Sequence, residues 1–542
     1  MTPLTPLLIL IVGTAGLMFG LLPRFRYTGL VAVAAGLGTL GALLLLTLNL
    51  PARATLSAWA PAGLFAMGLV LEADALAWVF AMAVVVITLA AVVTGLGRPG
   101  GQRVGTRAAM LLLALASLMS IFSDNVLTRV VAWALLDIIY FITLLFLGEG
   151  ENVESQAVLT LAINSTGTLL ALGAAVMISR TSPSLSLRDA ALTPQSTLLI
   201  TLAGVFRLGL FPLHAALPTE VDIRQGLGAL ARLLPVIVAL ETVSRLAVFG
   251  IAPSLRLWLT LFAALAAVVG ALQLWSVADP RRGVAYLIIS QSGLALLAGL
   301  WGGAQGALAL TAIALSLGLG AALIFLGNGH DEQRPWPTIL PLIGGAAMAG
   351  APLTVGFAGV AHLFGSLALA GGWAWLVLLV VVVAQVVLVA GLLYTIFWPG
   401  VSAEGEPIVM AGHYSGLSLP AILLIMLALF APVLAGALSA PGVGPLGFEG
   451  APSIVGLVLV VLTTAGGVAL WRFDAVLRDR FGGLAGLPLA SLGRLDWLYR
   501  LVWGGIRAAG GVVEALGGIL EGEGAILWAL VAGVLVWLLW KG

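Results

Sequence analysis

The sequence contains no cysteine, which excludes disulfides, thiolate-held zinc and cysteine-ligated iron–sulfur clusters from this chain. Lysine is nearly as scarce. Lys541 is the only one, so every other member of the 24 Lys and Arg side chains is an arginine. Arginine stays protonated at any working pH, which excludes a relay built on tunable ammonium groups. Charge of either sign is rare, at 9% of residues where a soluble domain carries about 25%. A net charge of +1 lacks the basic excess that binds nucleic acid. No catalytic residue, metal site or cofactor is expected in the chain, and any redox chemistry is expected elsewhere.

What is present is apolar. Of 542 residues, 61% belong to the hydrophobic set, 69 are glycine, and the mean hydropathy is +1.15. A chain of this composition cannot cover itself with polar groups in water. Its apolar runs are continuous rather than alternating, which excludes a membrane β-barrel and predicts an all-α polytopic membrane protein. With about 20 apolar residues per crossing, about 14–16 spans are expected. They fall near 4–22, 27–49, 73–97, 106–122, 125–147, 155–179, 195–213, 227–249, 254–276, 283–301, 303–327, 338–366, 373–398, 416–438, 452–471 and 524–540. The first run lacks the flanks of a cleaved signal peptide and is expected to be retained. Residues 472–523 mix Arg472, Asp474, Arg478, Asp479 and Arg480 with short apolar stretches, the pattern of helices lying at the interface, before a C-terminal anchor over 524–542.

Arginines set the expected orientation. Loops after odd-numbered spans hold Arg24, Arg26, Arg98, Arg103, Arg107, Arg224, Arg281, Arg282, Arg334, Arg472, Arg478 and Arg480, against a sparser even set of Arg53, Arg129, Arg180, Arg188 and Arg256. The odd loops are therefore expected in the cytoplasm, with the N-terminus outside. An acidic group, Glu149, Glu151 and Glu154, follows the fifth span on the same side.

Two prolines, Pro212 and Pro352, interrupt apolar spans. Freed backbone groups in a bilayer must find partners or line a polar cavity, and a pair of broken spans in two halves points to a transport site at the breaks. Ionisable groups expected within spans are Asp137, Arg207, Arg232, Glu241, Arg245, His214 and His362. Each charge near the bilayer centre costs about 2.5–3.5 kcal/mol on insertion scales, which makes it a functional candidate. Glu241 and Arg245, four residues apart on one helix face, suit a structural ion pair.

These residues also carry a resemblance. Asp279-Pro280-Arg281-Arg282, followed by Ala285-Tyr286 and Ser290-Gln291-Ser292-Gly293, resembles the D-x-K-R-x-x-A-Y-S-x-x-S-Q-x-G motif of the antiporter-like membrane subunits of respiratory complex I, shared with Mrp-type sodium/proton antiporters and membrane-bound hydrogenases. The run from Arg207 to Pro218, with Pro212, His214, Leu217 and Pro218, is similar to the family's K-x-x-x-x-P-x-H-x-W-L-P, and Pro352 to Phe357 resembles P-x-x-x-G-F. Weaker echoes are Trp133, Asn164 with Gly167, and Phe325-Leu326-Gly327. The resemblance covers about residues 70–400, and the amphipathic tail is similar to the lateral helix of the distal complex I subunit.

The resemblance implies N-terminal helices over 1–100, two inverted five-helix repeats over 106–250 and 254–398, each a half-channel with a broken helix, and further helices over 416–471. It implies a non-catalytic, proton-translocating subunit of an NADH:quinone oxidoreductase-like assembly, in an energy-transducing membrane such as a prokaryotic cytoplasmic membrane. Partners would be other membrane and hydrophilic subunits, the lipid bilayer, and protons or sodium ions. The proton-path candidates are Asp137, Arg207, His214, Arg232 and His362. This sequence departs from the family pattern where charge would move. The family's glutamate position is Ala134, its broken-helix lysine is Arg207, and in the second half its ionisable positions are Leu317, Ala321 and Val360. Those losses open a second expectation, a structural subunit that has lost conduction; a stand-alone cation/proton antiporter is a third.

Overall fold

The structure is a computed structural model that describes residues 2–19, 27–56, 68–96, 103–150, 152–182, 185–186, 192–217, 222–223, 225–249, 251, 253–277, 280–327, 336–398, 407–429, 454–474, 476, 504, 507 and 511. The chain divides into two compact units, 1–480 and 481–542. Apart from 472–474, 476, 504, 507 and 511, the expected interfacial segment and the final span lie outside the described residues.

Among the described residues there are sixteen α-helices, eleven of them long and apolar enough to cross a membrane. The protein is an all-α, multi-pass membrane protein. The first three helices are α1 (Leu4–Phe19), α2 (Thr28–Leu46) and α3 (Ala75–Leu96). Between α2 and α3 lies an antiparallel pair, β1 (Ala52–Leu56) and β2 (Leu69–Ala73). Then come α4 (Val104–Ile121), α5 (Val126–Leu147), α6 (Val153–Thr181), α7 (Pro194–Arg207) and α8 (Gln225–Phe249). A two-residue antiparallel contact, Gly148–Glu149 with Asp222–Ile223, joins the ends of this set. The next set is α9 (Arg256–Ser276), α10 (Pro280–Trp301), α11 (Gly306–Leu326), α12 (Trp336–Ala349), α13 (Val355–Ala370) and α14 (Ala374–Ile396). Helices α15 (Pro407–Leu429) and α16 (Ile454–Arg472) follow.

Local chemistry sets several of these ends. Asn125 accepts a hydrogen bond from the Thr128 amide at the start of α5, and Thr193 forms a reciprocal cap with Ser196 ahead of Pro194 in α7. At the start of α3, the Asp74 carboxylate accepts from the Ala77 amide at 2.7 Å. Helices α8 and α11 occupy the centre, where both spans are buried all round, and the charges α8 carries are paired with other helices. They are joined by a 2.5 Å hydroxyl contact between Ser244 and Thr311.

The order of packing is alike in two sets of helices. In the first, α4 packs on α5, α5 on α6 and α6 on α7, and α8 returns to α4. In the second, α9 packs on α10, α10 on α11 and α11 on both α12 and α13, and α14 returns to α9.

The two expected breaks occur, but proline is not what ends the helices. Helix α7 stops at Arg207 and the chain turns at Gly209, with φ +61°; α12 stops at Ala349 and turns at Gly350, with φ +72°. A left-handed glycine just past the last helical residue closes the final carbonyls, and L side chains rarely take that conformation. Pro212 and Pro352 follow these caps by three and two residues, where the helix has already ended. Pro235, Pro341 and Pro420 lie inside α8, α12 and α15, which continue through them. After Pro212 comes a short 3-10 turn, Leu213–Ala216, so the expected span 195–213 is a shorter helix than its apolar run suggests.

Two of the arginines counted toward the orientation are buried within the bundle. Arg107 lies in the first turn of α4, buried, and donates to the Thr28 hydroxyl at 2.6 Å. Arg129 lies in α5, buried against Glu241. Each is held inside by a polar partner on another helix, which a count of loop charges does not register.

Candidate functional site: a buried acid and arginine at the first helix break

On α5, Trp133, Asp137 and Tyr140 recur at four- and three-residue spacing and all point inward. Ala134, the position where the family has glutamate, is only half-buried, so the turn that faces the bundle is the one bearing Asp137. Arg207 is the last residue of α7, where a cation complements the helix dipole. The break that follows lets its side chain reach across to α5.

The two meet in a buried ion pair. Arg207 Nη2 donates to Asp137 Oδ2 at 2.5 Å, with side chains 1% and 4% exposed. The Thr168 hydroxyl of α6 donates to the same carboxylate oxygen at 2.9 Å, and Arg207 Nη2 lies 2.8 Å from Thr168 Oγ1. The guanidinium also sits 4.3 Å from the Trp133 ring centroid, a cation–π contact. Asp137 Oδ1 and Arg207 Nε and Nη1 are buried with no hydrogen-bond partner among the described residues. Burial of two charges costs several kcal/mol per ion unless the lone pairs and protons left over are satisfied. The arrangement is thus a charged pair with unused hydrogen-bonding capacity, at a helix break.

Thr168 is the site residue that sequence reading missed. Its signal was its place four residues after Asn164, on the buried face of α6.

The remaining candidates are distributed around this pair. Arg232 of α8 lies 5.9 Å from the Phe325 ring centroid of α11 and acts electrostatically on Tyr140, which places it between the first set and the centre. His214 is in the 3-10 turn after the first break, stacked on Phe211 with 5.5 Å between centroids. His362 is on α13 but away from the second break: its Nε2 is 3.0 Å from the Gly302 carbonyl oxygen and 3.3 Å from Ser366 Oγ.

Glu241 and Arg245 do pair, within a larger cluster. Arg245 also binds Asp74 at 2.8 Å, and Glu241 binds Arg129 at 2.7 Å. Two acids and two arginines thereby tie α8 to the starts of α3 and α5. Asp74 and Arg129 were not candidates, because neither lies near Glu241 in sequence.

The described residues of the second break, 350–354, carry no charged side chain. Leu317, Ala321 and Val360 are fully buried and apolar. Gly320 and Gly344 bring α11 and α12 together backbone to backbone, since a Cβ on either would lie 2.7 Å from the other's carbonyl oxygen. The end of α12 is held by amides: Gln291 Nε2 donates to the Met348 carbonyl and Gln385 Nε2 to the Ala349 carbonyl, each at 2.9 Å. Leu353, at the break, has φ +67° and is 93% exposed. Of the family-motif residues, Ser290 donates to the Ala267 carbonyl at 2.8 Å and Tyr286 is half-buried on α10. Asp279 lies outside the described residues, and only the backbone of Arg281 and Arg282 is described.

Solved structures share this architecture. A chain of the Mrp complex from Dietzia sp. superposes with a TM-score of 0.79 at 21% identity, over 98% of this chain and 62% of that one. This chain shares its fold with chains of multi-subunit membrane complexes. A chain of the membrane-bound sulfane sulfur reductase, an archaeal respiratory membrane complex, gives 0.74 at 18% identity, covering 98% and 99% of the two chains. A chain of respiratory complex I from Thermus thermophilus gives 0.66 at 20% identity, covering 86% and 100%. The resemblance read from the motifs therefore holds at the level of the fold, and this chain spans about 62% of the length of the Mrp chain. The sequence itself matches no family profile and no curated protein.

Proposed function

We propose that this chain is an antiporter-like membrane subunit of a multi-subunit, complex I-like assembly, and that it moves protons through its first set of helices. The observation that carries the reading is the Asp137–Arg207 pair, buried at a helix break with one carboxylate oxygen unused. An acid in contact with a permanent cation is a group whose proton occupancy changes with the position of that cation. Thr168, shared by both side chains, couples them. Arg232 and Tyr140 continue the polar line toward the centre. The two sets of helices are taken as inverted repeats, in keeping with their like order of packing. Electron transfer and its cofactors belong to partner subunits, the ion is the proton, and the membrane is an energy-transducing one with the N-terminus outside.

The neutral second break favours a division of labour. With Leu317, Ala321, Val360 and the Gly320–Gly344 contact, the second set of helices acts as scaffold and conduction is confined to the first. A relay needs groups that take and release protons in hydrogen-bonded reach, and these residues have none.

The test is proton uptake by vesicles holding the intact assembly. Asp137→Asn is expected to slow redox-driven uptake about ten-fold or more at equal protein level. Uptake at the original rate sinks the reading.

A further inference from the structure

Three buried arginines, Arg129, Arg207 and Arg245, each touch a carboxylate, at 2.7, 2.5 and 2.8 Å. Arg107 is as deeply placed, at 8% exposed, and touches no carboxylate among the described residues. Its Nη1 donates to the Thr28 hydroxyl at 2.6 Å, and its Nε is buried without a partner. The neighbouring sequence supplies no acid either: 19–27 and 97–107 contain Arg24, Arg26, Arg98, Arg103 and Arg107 and neither Asp nor Glu. A guanidinium stays charged, and a buried charge is costly until a counter-charge meets it.

Two helix starts converge on this arginine. Thr28 is the first residue of α2 and Arg107 lies in the first turn of α4, and neither helix has an acid in its first turn or a side-chain cap. Their leading amides have no partner within the helix, and the positive ends of both dipoles add to the charge of Arg107. Gly29 lets the guanidinium lie against α2, where a Cβ would be 3.5 Å from Arg107 Cζ and Nη2. Gly105 opens the α4 side, since a Cβ there would meet nothing within 4 Å. Arg103, exposed, precedes Arg107 by one turn.

Below this cationic mouth the surface is apolar. Leu30, Leu37 and Leu44 recur every seven residues along α2 and are 62%, 52% and 52% exposed. The helix from Leu30 to Leu44 is about 21 Å long, more than one leaflet of a hydrocarbon core about 30 Å thick. Tyr27, 66% exposed, heads the column, where aromatic side chains mark the level of the headgroups.

We propose that the starts of α2 and α4 bind one anionic phospholipid, its phosphate on Arg107 and the uncapped amides and an acyl chain along Leu30, Leu37 and Leu44. A phosphate diester offers the charge and the acceptor oxygens that an arginine fork pairs with. The apolar column assigns that phosphate to a lipid rather than to free phosphate. Arg103 favours a headgroup of net negative charge over a zwitterion, whose own cation it repels. With the N-terminus outside, the site lies in the cytoplasmic leaflet, where anionic lipids attract basic groups. Binding of the lipid is independent of whether the first set of helices moves protons.

The absence of cysteine lets a single bimane label be placed on the full chain, at L37C in the column or at I138C, an exposed position of α5 at a like depth from the same membrane face. In bilayers of brominated phosphatidylglycerol or brominated phosphatidylcholine, quenching at L37C is expected to show about a five-fold preference for phosphatidylglycerol, and quenching at I138C none. Equal quenching by the two lipids at L37C, or the same preference at I138C, overturns the site. That comparison keeps Arg107, so it decides even where an Arg107 variant folds poorly. R107Q in the L37C chain is expected to lose the preference, and a preference that survives R107Q overturns the role of Arg107. An excess of inorganic phosphate is expected to leave the quenching unchanged; displacement of the lipid by it would assign the site to free phosphate and overturn the proposal. The purified intact assembly is expected to retain less phosphatidylglycerol when it carries R107Q. Unchanged retention would leave Arg107 to an acidic group of a partner subunit and also overturn the lipid.

Discussion

The ion pair at the first break joins two charges that each cost free energy to bury, so its two members are expected to be strongly non-additive. Replacing Asp137 alone leaves the Arg207 guanidinium buried beside Trp133 without a counter-charge, a loss of about 3–5 kcal/mol. Removing both charges by Asp137→Leu with Arg207→Met removes that penalty. The double variant is expected to recover most of the thermal stability lost by Asp137→Leu, measured in detergent, while its proton uptake stays lost. Recovery of uptake with recovered stability would mean that the pair is only a brace. Asp137 itself was legible in the sequence as a lone acid in an apolar run, and so was Arg207. Thr168 was not, because a threonine in a helix of this composition costs little and attracts no notice until a carboxylate is found 2.9 Å away. His362 shows the opposite case: a histidine in an apolar span, conspicuous in sequence, is bound to a turn carbonyl at Gly302 and stands apart from the break.

Elements are where backbone chemistry decided what side chains do. The breaks owe their place to Gly209 and Gly350, whose left-handed conformations end α7 and α12, and the prolines keep the chain from resuming a helix at once. The prolines were the visible signal, yet Pro235, Pro341 and Pro420 are equally visible and break nothing. A glycine two or three residues ahead of the proline distinguishes the two kinds. In the second set, the approach of α11 to α12 depends on Gly320 and Gly344. Gly344→Ala would put a Cβ 2.7 Å from the Gly320 carbonyl oxygen, and overpacking of this kind costs about 1–3 kcal/mol. Thermal unfolding in detergent is expected to show that loss, whereas Gly41→Ala, with nothing within 4 Å of the added Cβ, is expected to leave stability unchanged. Equal effects would mean that the α11–α12 contact is not tight.

At the scale of the whole molecule, the two ends of the bundle differ. Asp74, Arg129, Glu241 and Arg245 form a cluster where α3 and α5 begin and α8 ends, and the Ser244–Thr311 contact brings the start of α11 to that same end. Glu149, after α5, lies at the opposite end. In the cysteine-free chain, E149C is expected to react with an impermeant maleimide only in inverted vesicles and Q305C only in right-side-out ones. The reverse pattern would turn the protein over and move the proposed lipid site to the other leaflet. Withdrawing Arg107 and Arg129 from the loop count leaves the orientation resting on the remaining arginines, since one was removed from each side.

The sequence by itself determined the class of the protein and the rough place of the described spans. Transfer free energy sums over about 20 residues at a time, so hydropathy carries that information without any knowledge of neighbours. It also determined that Leu317, Ala321 and Val360 carry no ionisable group, because no packing can give a side chain a charge its residue type does not have. Only the tertiary structure decided which polar groups meet. The Asp137–Arg207 contact joins residues 70 apart, and the Arg245–Asp74 contact residues 171 apart. Such pairs are fixed by how helices pack against one another, and a local pattern holds no record of that.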